Sequence, residues 1–166
     1  MPTTGLRTIC STAALVALAL ALGACGGGTE YIPGTRVPQS QDNQQIVDRL
    51  EDYRMAVERR DAAALVLMAS KHYWDDAGTP EGTDDYGYQG LQQILTGRFQ
   101  KVKAIRYSMR YMNIARRGDR ALVDVLIDAS FTVQDPRGDD LRRDLRDQNQ
   151  FVHEWDGRHW LFLSGM

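Results

Sequence analysis

The chain has 166 residues, with 20 Lys and Arg against 22 Asp and Glu interspersed along it, a formal charge of −2. That length holds one domain with a proper core and is short for two. No basic field is left for nucleic acid, and both cysteines fall within the first 25 residues.

Residues 1–24 have the build of an export signal peptide. Arg7 supplies the positive start, and Thr8 to Leu22 is an almost uninterrupted apolar run followed by small residues. About 15 apolar residues are too few to span a bilayer core of roughly 30 Å, so an export signal is favoured over a stable transmembrane helix. The run ends in Leu22-Gly23-Ala24-Cys25, which resembles a bacterial lipoprotein processing box. The resemblance implies cleavage before Cys25, lipidation of its sulfur and amine, and a protein exported and anchored to a membrane of the cell envelope. Several acyl chains give the stable anchoring that one chain cannot. Loss of Cys10 with the signal and use of Cys25 for lipid would leave the mature chain without a thiol. Thiolate metal sites, disulfides and a cysteine nucleophile are then excluded. The mature charge becomes −3, with 19 basic against 22 acidic residues, because Arg7 is lost.

Lipidated Cys25 and the following residues to Gln41 read as a flexible tether, with three consecutive glycines, Pro33-Gly34 and Pro38. Fully stretched, it reaches about 50 Å. Tyr31, Ile32 and Val37 are its candidates to dock back on the domain, which is taken as residues 42–166.

Asp42 or Asn43 is expected to cap a first helix running to about Arg60. Ile46, Leu50, Tyr53 and Val57 lie on one stripe of it. Asp61 restarts the chain as N-cap of a short helix, Ala62 to Ser70, with Leu65, Met68 and Ala69 on its buried side. Lys71 to Gly87 breaks the periodicity with Gly78, Pro80, Gly82 and Gly87 and reads as loop. Asp75, Asp76, Asp84 and Asp85 lie in it. Carboxylates could hold a hard cation, but the spacing fits no calcium loop, and Asp is favoured in turns for its own local bonds, so no metal is expected. Trp74 is read as a lid on the core, and His72 and His159 as surface residues. A third helix spans Gln89 to Lys101, with Leu91, Ile94, Leu95, Phe99 and Val102 at helical spacing.

From Lys103 the period switches to two. Ile105, Tyr107, Met109 and Tyr111 share a face, and the changed parity of Ile114 predicts a bulge near Asn113. Gly118-Asp119 turns the chain into a strand over Ala121 to Gln134, whose face Val123, Val125, Ile127, Ala129, Phe131 and Val133 is apolar. Pro136-Arg137-Gly138 turns it again into Leu141 to Trp155. Asp156-Gly157, a two-residue turn signal, closes a hairpin that sets Trp155 against Arg158, His153 against Trp160, Phe151 against Phe162 and Asn149 against Ser164.

The fold class is therefore α+β: three N-terminal helices packed on one face of a curved, four-stranded antiparallel sheet. This layout resembles the nuclear transport factor 2-like cone, also called SnoaL-like or cystatin-like. The resemblance covers about Gln44 to Ser164 and rests on four features: the amphipathic first helix, Arg60-Asp61-Ala62-Ala63-Ala64-Leu65 opening the second, Tyr88-Gln89-Gly90-Leu91 opening the third, and the strands that end in Trp160-Leu161-Phe162-Leu163. It implies a pocket between sheet and helices, lined by Tyr107, Tyr111, Asp147, Asn149, Phe151, His153, Trp160 and Phe162, with Ser164 beside them. The fold hosts enzymes and inactive binders alike, so it fixes no activity. One reading is a lipid-anchored envelope protein whose cone binds a small apolar ligand or a protein partner without catalysis. The alternative is an envelope enzyme of ketosteroid-isomerase-like type, with Asp147 and His153 doing acid–base chemistry. No catalytic motif of the family can be matched residue by residue, and no cofactor is implied. On the outer sheet face, Leu126, Val152, Leu161 and Leu163 among charges read either as an interface for a homodimer or protein partner, or as ordinary scattered leucines.

Overall fold

The structure is a computed structural model and describes residues 28–76 and 82–166. The segment read as an export signal, Cys25 and the middle of the aspartate-rich loop lie outside the described residues. Among the described residues three helices, α1 (Gln41–Arg59), α2 (Ala62–Met68) and α3 (Tyr88–Gln100), precede a sheet of β3 (Val102–Arg117), β4 (Arg120–Gln134), β5 (Asp140–Trp155) and β6 (Trp160–Ser164). The sheet is an antiparallel meander in the order β3-β4-β5-β6, as the alternation predicts. Within the expected loop, Trp74–Asp75 (β1) pairs with Tyr86–Gly87 (β2) to make a small second ladder.

Each helix starts where a side chain can take an orphan amide. Ser40, not Asp42 or Asn43, caps α1, its hydroxyl accepting from the Asn43 amide at 3.2 Å. Asp42 instead lies in the first turn, where a negative charge meets the positive end of the helix dipole, and pairs with Arg116. Asp61 caps α2 as expected, accepting from the Ala64 amide at 2.9 Å. That helix stops at Met68, before the expected Ser70, because Ala69 turns extended and joins the sheet. Ala69 bridges Phe162, and the Ser70 amide donates to the Phe162 carbonyl at 2.8 Å.

The stripe Ile46, Leu50, Tyr53 and Val57 is buried, and with Leu65, Leu91 and Leu95 it covers the apolar face of the sheet. That face is Ile105, Met109 and Tyr111 on β3, Ala121 to Ala129 at alternate positions on β4, and Phe151, Trp160 and Phe162 at the closing hairpin. The bulge between Tyr111 and Asn113 falls where the parity change requires it, and a second irregularity lies between Val102 and Ala104. Tyr53 stands at the centre: its ring is 5.2 Å from both Phe151 and Phe162, which meet each other edge-on at 5.5 Å.

The closing hairpin differs from its expected register. Trp155 pairs with Trp160, Glu154 with Leu161, His153 with Phe162 and Val152 with Ser164, the last after a bulge. The Asp156 carboxylate accepts from the amides of both Arg158 and His159, so the turn is a wider four-residue loop rather than a two-residue one. Gly157, at φ 96°, supplies the left-handed backbone it needs. The slip is two residues, which preserves parity, so the aromatic rings keep their face. The C-terminus is tightly laid down as well. A Cβ on Gly165 would lie 2.7 Å from the Gln150 carbonyl, and Tyr73 Oη receives the Met166 amide at 3.1 Å.

Part of the segment read as tether is docked. Ile32 and Val37 are buried while Tyr31 stays exposed, the Ile32 amide donates to Val37, and the Arg36 amide donates to the Tyr111 carbonyl on β3.

Phe162→Ala removes a fully buried ring that touches Tyr53, Phe151 and His153. It is expected to cost about 3–5 kcal/mol, out of roughly 5–15 kcal/mol for a whole domain. Urea denaturation followed by tryptophan fluorescence should show the midpoint fall steeply. A midpoint equal to that of the wild type would place Leu161 and Leu163, not Phe162, in the core.

Candidate functional site

Along β5 the inward positions divide sharply. Leu145 is 42% exposed and Asp147 is exposed, with its Oδ1 accepting from the neighbouring Gln148 amide. Asn149 is half-buried and donates through Nδ2 to the Gly165 carbonyl at 2.9 Å. Phe151 and His153 are fully enclosed. Ser164 lies opposite Val152 rather than Asn149. Asp147 and His153 are six residues apart on one strand, about 20 Å at strand rise, so they do not face one reacting atom.

His153 is surrounded by carbon. Its ring centre is 4.3 Å from that of Phe162 and 6.4 Å from that of Phe151. Neither ring nitrogen has a hydrogen-bond partner, and the indole Nε1 of Trp160 has none either. Burial, with the Arg49 charge adding to it, pushes the imidazole down to about 3, so it is neutral at ordinary pH. A base whose proton would have nowhere to go, and no partner to orient it, lacks the geometry of a general base.

The tyrosines form a different assembly. Tyr111 Oη donates to Glu51, Arg54 joins Glu51 at 2.7 Å to Glu58 at 2.8 Å, and Glu58 Oε1 accepts the Tyr107 amide at 2.9 Å. Tyr107 is pushed up to about 12 by burial, and Tyr111 is raised by burial and its bond to Glu51. This chain of groups ties α1 to β3, and its members are fixed on one another. The spacing Glu51, Arg54, Glu58 was readable as helix-surface pairing; its use on the edge of a strand was not.

Two surface grooves are sizeable. One, of about 750 Å³, lies at the start of α3 and is lined by Lys71, His72, Trp74, Asp85, Tyr86 and Tyr88 among others. Trp74 is 57% exposed there, so it walls a groove instead of covering the core as a lid. The other, of about 730 Å³, lies on the sheet between Glu58, Tyr107, Asp128 and Arg146. His72 and His159 are on the surface, and His72 Nδ1 lies 3.0 Å from Glu154, which also takes the Ser70 hydroxyl. Asp75 is structural: it accepts from Tyr73 Oη at 2.7 Å and from the Gly165 amide at 2.8 Å. Among the described residues no group of three or more His, Cys, Asp or Glu is placed to hold a metal ion. The outer-face residues Leu126, Val152, Leu161 and Leu163 are all half-buried.

Solved structures share this architecture. A ketosteroid isomerase-like protein from Erwinia carotovora atroseptica aligns over 76% of this chain and 95% of its own, at 14% identity and a TM-score of 0.63. A conserved protein from Planctomyces limnophilus aligns over 75% and 92%, at 15% identity and a TM-score of 0.63. A member of the nuclear transport factor 2-like family from Streptomyces avermitilis aligns over 75% and 93%, at 14% identity and a TM-score of 0.59. No family model and no curated protein matches the sequence. The domain has the nuclear transport factor 2-like α+β fold. At these identities it is the fold that is shared, and activity does not come with it.

The buried imidazole makes a testable contribution to acid stability. Its folded value lies below its unfolded value of 6.5, so the unfolded state binds more protons between pH 6.5 and about 3, and stability falls as pH falls through that window. His153→Leu removes this term. Guanidinium melts at pH 7, 5 and 4 should show the variant gaining on the wild type by up to roughly 1.4 kcal/mol per unit below 6.5. A difference between the two that does not change with pH would mean that the ring is solvated.

Proposed function

We propose that the protein is a lipid-anchored binding domain of the cell envelope that engages a partner through its surface. The observation that carries this reading is the filled interior between helix and sheet, where Tyr53, Phe151, His153 and Phe162 pack against one another. The position of Asp147 in solvent adds support, since it removes the second group the acid–base alternative requires. The groove beside Trp74 and Tyr88 offers such a partner an aromatic wall. The anchor rests on the processing box at Cys25 and on the apolar run before it.

Two measurements test the two halves. A bound ligand raises the unfolding midpoint in proportion to the logarithm of its concentration. A steroid ketone and a long-chain fatty acid should leave the urea midpoint of the wild type unchanged. A rise that disappears in His153→Leu would favour the enzyme reading. For the anchor, Cys25→Ser in an expressing bacterium should leave the domain folded and exported but unlipidated, and move it to the soluble envelope fraction. Unchanged retention on the membrane would mean that the apolar run is itself an uncleaved anchor.

A further inference from the structure

β6 pairs with β5 only from Val152 to Trp155, and the C-terminal Gly165 lies against Gln150. Among the described residues nothing pairs with the outer edge of β5 from Asp140 to Gln148, and every residue in that stretch is exposed. The direction of its backbone is fixed by two bonds. Trp155 N–H donates toward the β4 side, to Asp119 at 2.7 Å, while Gln148 N–H donates to the Asp147 carboxylate next to it. The even-numbered residues therefore turn their N–H and C=O groups to the open edge. A bare edge of this length invites another strand, and charges along it normally discourage that. Here the order of the charges, Arg142-Arg143-Asp144-Leu145-Arg146-Asp147, is self-complementary.

We propose that the open edge of β5 pairs antiparallel with the same edge of a second copy, in the register that sets Leu145 opposite itself. Asp144 then faces the partner's Arg146, Arg143 faces the partner's Asp147, and Arg142 faces the partner's Gln148, each twice by symmetry. Opposite charges directly across a strand pair stabilise it, and like charges destabilise it. Neighbouring registers fail on that ground. An axis through Asp144 sets that acid against itself and Arg142 against Arg146; axes through Arg143, Arg146 or Asp147 each set a like charge against its own copy. An axis through Leu141 runs off the strand, because Asp139 is held in the turn by the Asp135 amide. Arg146 keeps its bond to Asp128 at 2.6 Å and Asp144 its bond to Arg142, so the new pairs extend ion pairs already present. The pairing is isologous, the form most dimers take. It makes one continuous sheet from two copies and is independent of the anchor and of any activity.

Leu145 falls at a non-hydrogen-bonded position, where opposed Cα atoms sit about 4.5 Å apart, within the span of a disulfide. The test uses the full chain in detergent, with serine at Cys10 and Cys25 and a single cysteine placed in turn at 141, 143, 145 and 147. Mild oxidation should give a covalent dimer several-fold faster for Leu145→Cys than for the other three. A maximum elsewhere, or equal rates at all four, overturns the proposal. Sedimentation of the cysteine-free chain should give a dimer. Arg143→Asp and Asp147→Arg should each weaken it by about tenfold or more, and the double exchange should restore it. A monomeric unsubstituted chain, or a double exchange no better than the singles, also overturns it.

Discussion

The sheet has three strands of 15 or 16 residues and a fourth of only 5, and much else in the structure follows from that inequality. The short fourth strand closes only the end of the sheet nearest the turn at Asp156. Burial is therefore dense between α1 and the closing hairpin and falls away along β5 toward Asp140. The apolar residues Phe131 and Val133 on the far end of β4 are only partly covered, and on β5 Leu141, opposite Val133, and Leu145, opposite Ala129, are exposed.

At the closed end, the space between helix and sheet is spent on rings. Tyr53 enters from α1, Phe151 and Phe162 from the two strands of the hairpin, and His153 fits beside Phe162 as a small aromatic. An imidazole with two unpartnered nitrogens costs stability, because buried polar groups lose their water without replacement. Its presence is tolerated because the neutral ring packs as a flat, nearly apolar body, and its depressed protonation keeps it that way. On the edge opposite β6, β3 is guarded otherwise: Glu58 takes the Tyr107 amide, Arg36 supplies its amide to Tyr111, and Arg60 bonds the Val102 carbonyl at 2.7 Å.

Periodicity carried most of this architecture, since a stripe or an alternating face is a local property of the chain. The α1 stripe, the bulge at Asn113 and the parity of Phe151 and Phe162 were all readable for that reason. What depended on one side chain choosing among several partners was not. Asp156 bonds two amides beyond itself and widens the turn, which moved the hairpin by two residues while leaving its faces intact. Ser40 outcompeted Asp42 as cap, and Ala69 left its helix for the edge of β6. The pocket list failed to converge for a related reason. Parity says which way Asp147 and His153 point, but only the length of β6 and the position of the helices decide that one is bare and the other enclosed. Trp74 shows the same limit, because an aromatic ring in a loop has no period from which its burial can be read.

The two ends of β5 therefore solve opposite problems with the same strand. Near Phe151 the sequence is apolar or aromatic on the inner side, because a helix layer arrives to cover it. From Asp140 to Gln148 no layer arrives, and the sequence becomes charged on both sides with only Leu141, Leu145 and Gln148 interrupting. Charge alone would suffice to keep such an edge soluble, and any mixture of Arg and Asp would serve. An order that opposes acid to base in one register, while opposing like to like in its neighbours, is more than solubility demands. Specificity needs both attraction in one pairing and repulsion in the next. Both are written here in six consecutive residues, Arg142 to Asp147, and the only uncharged one among them is the leucine on which the symmetry axis falls.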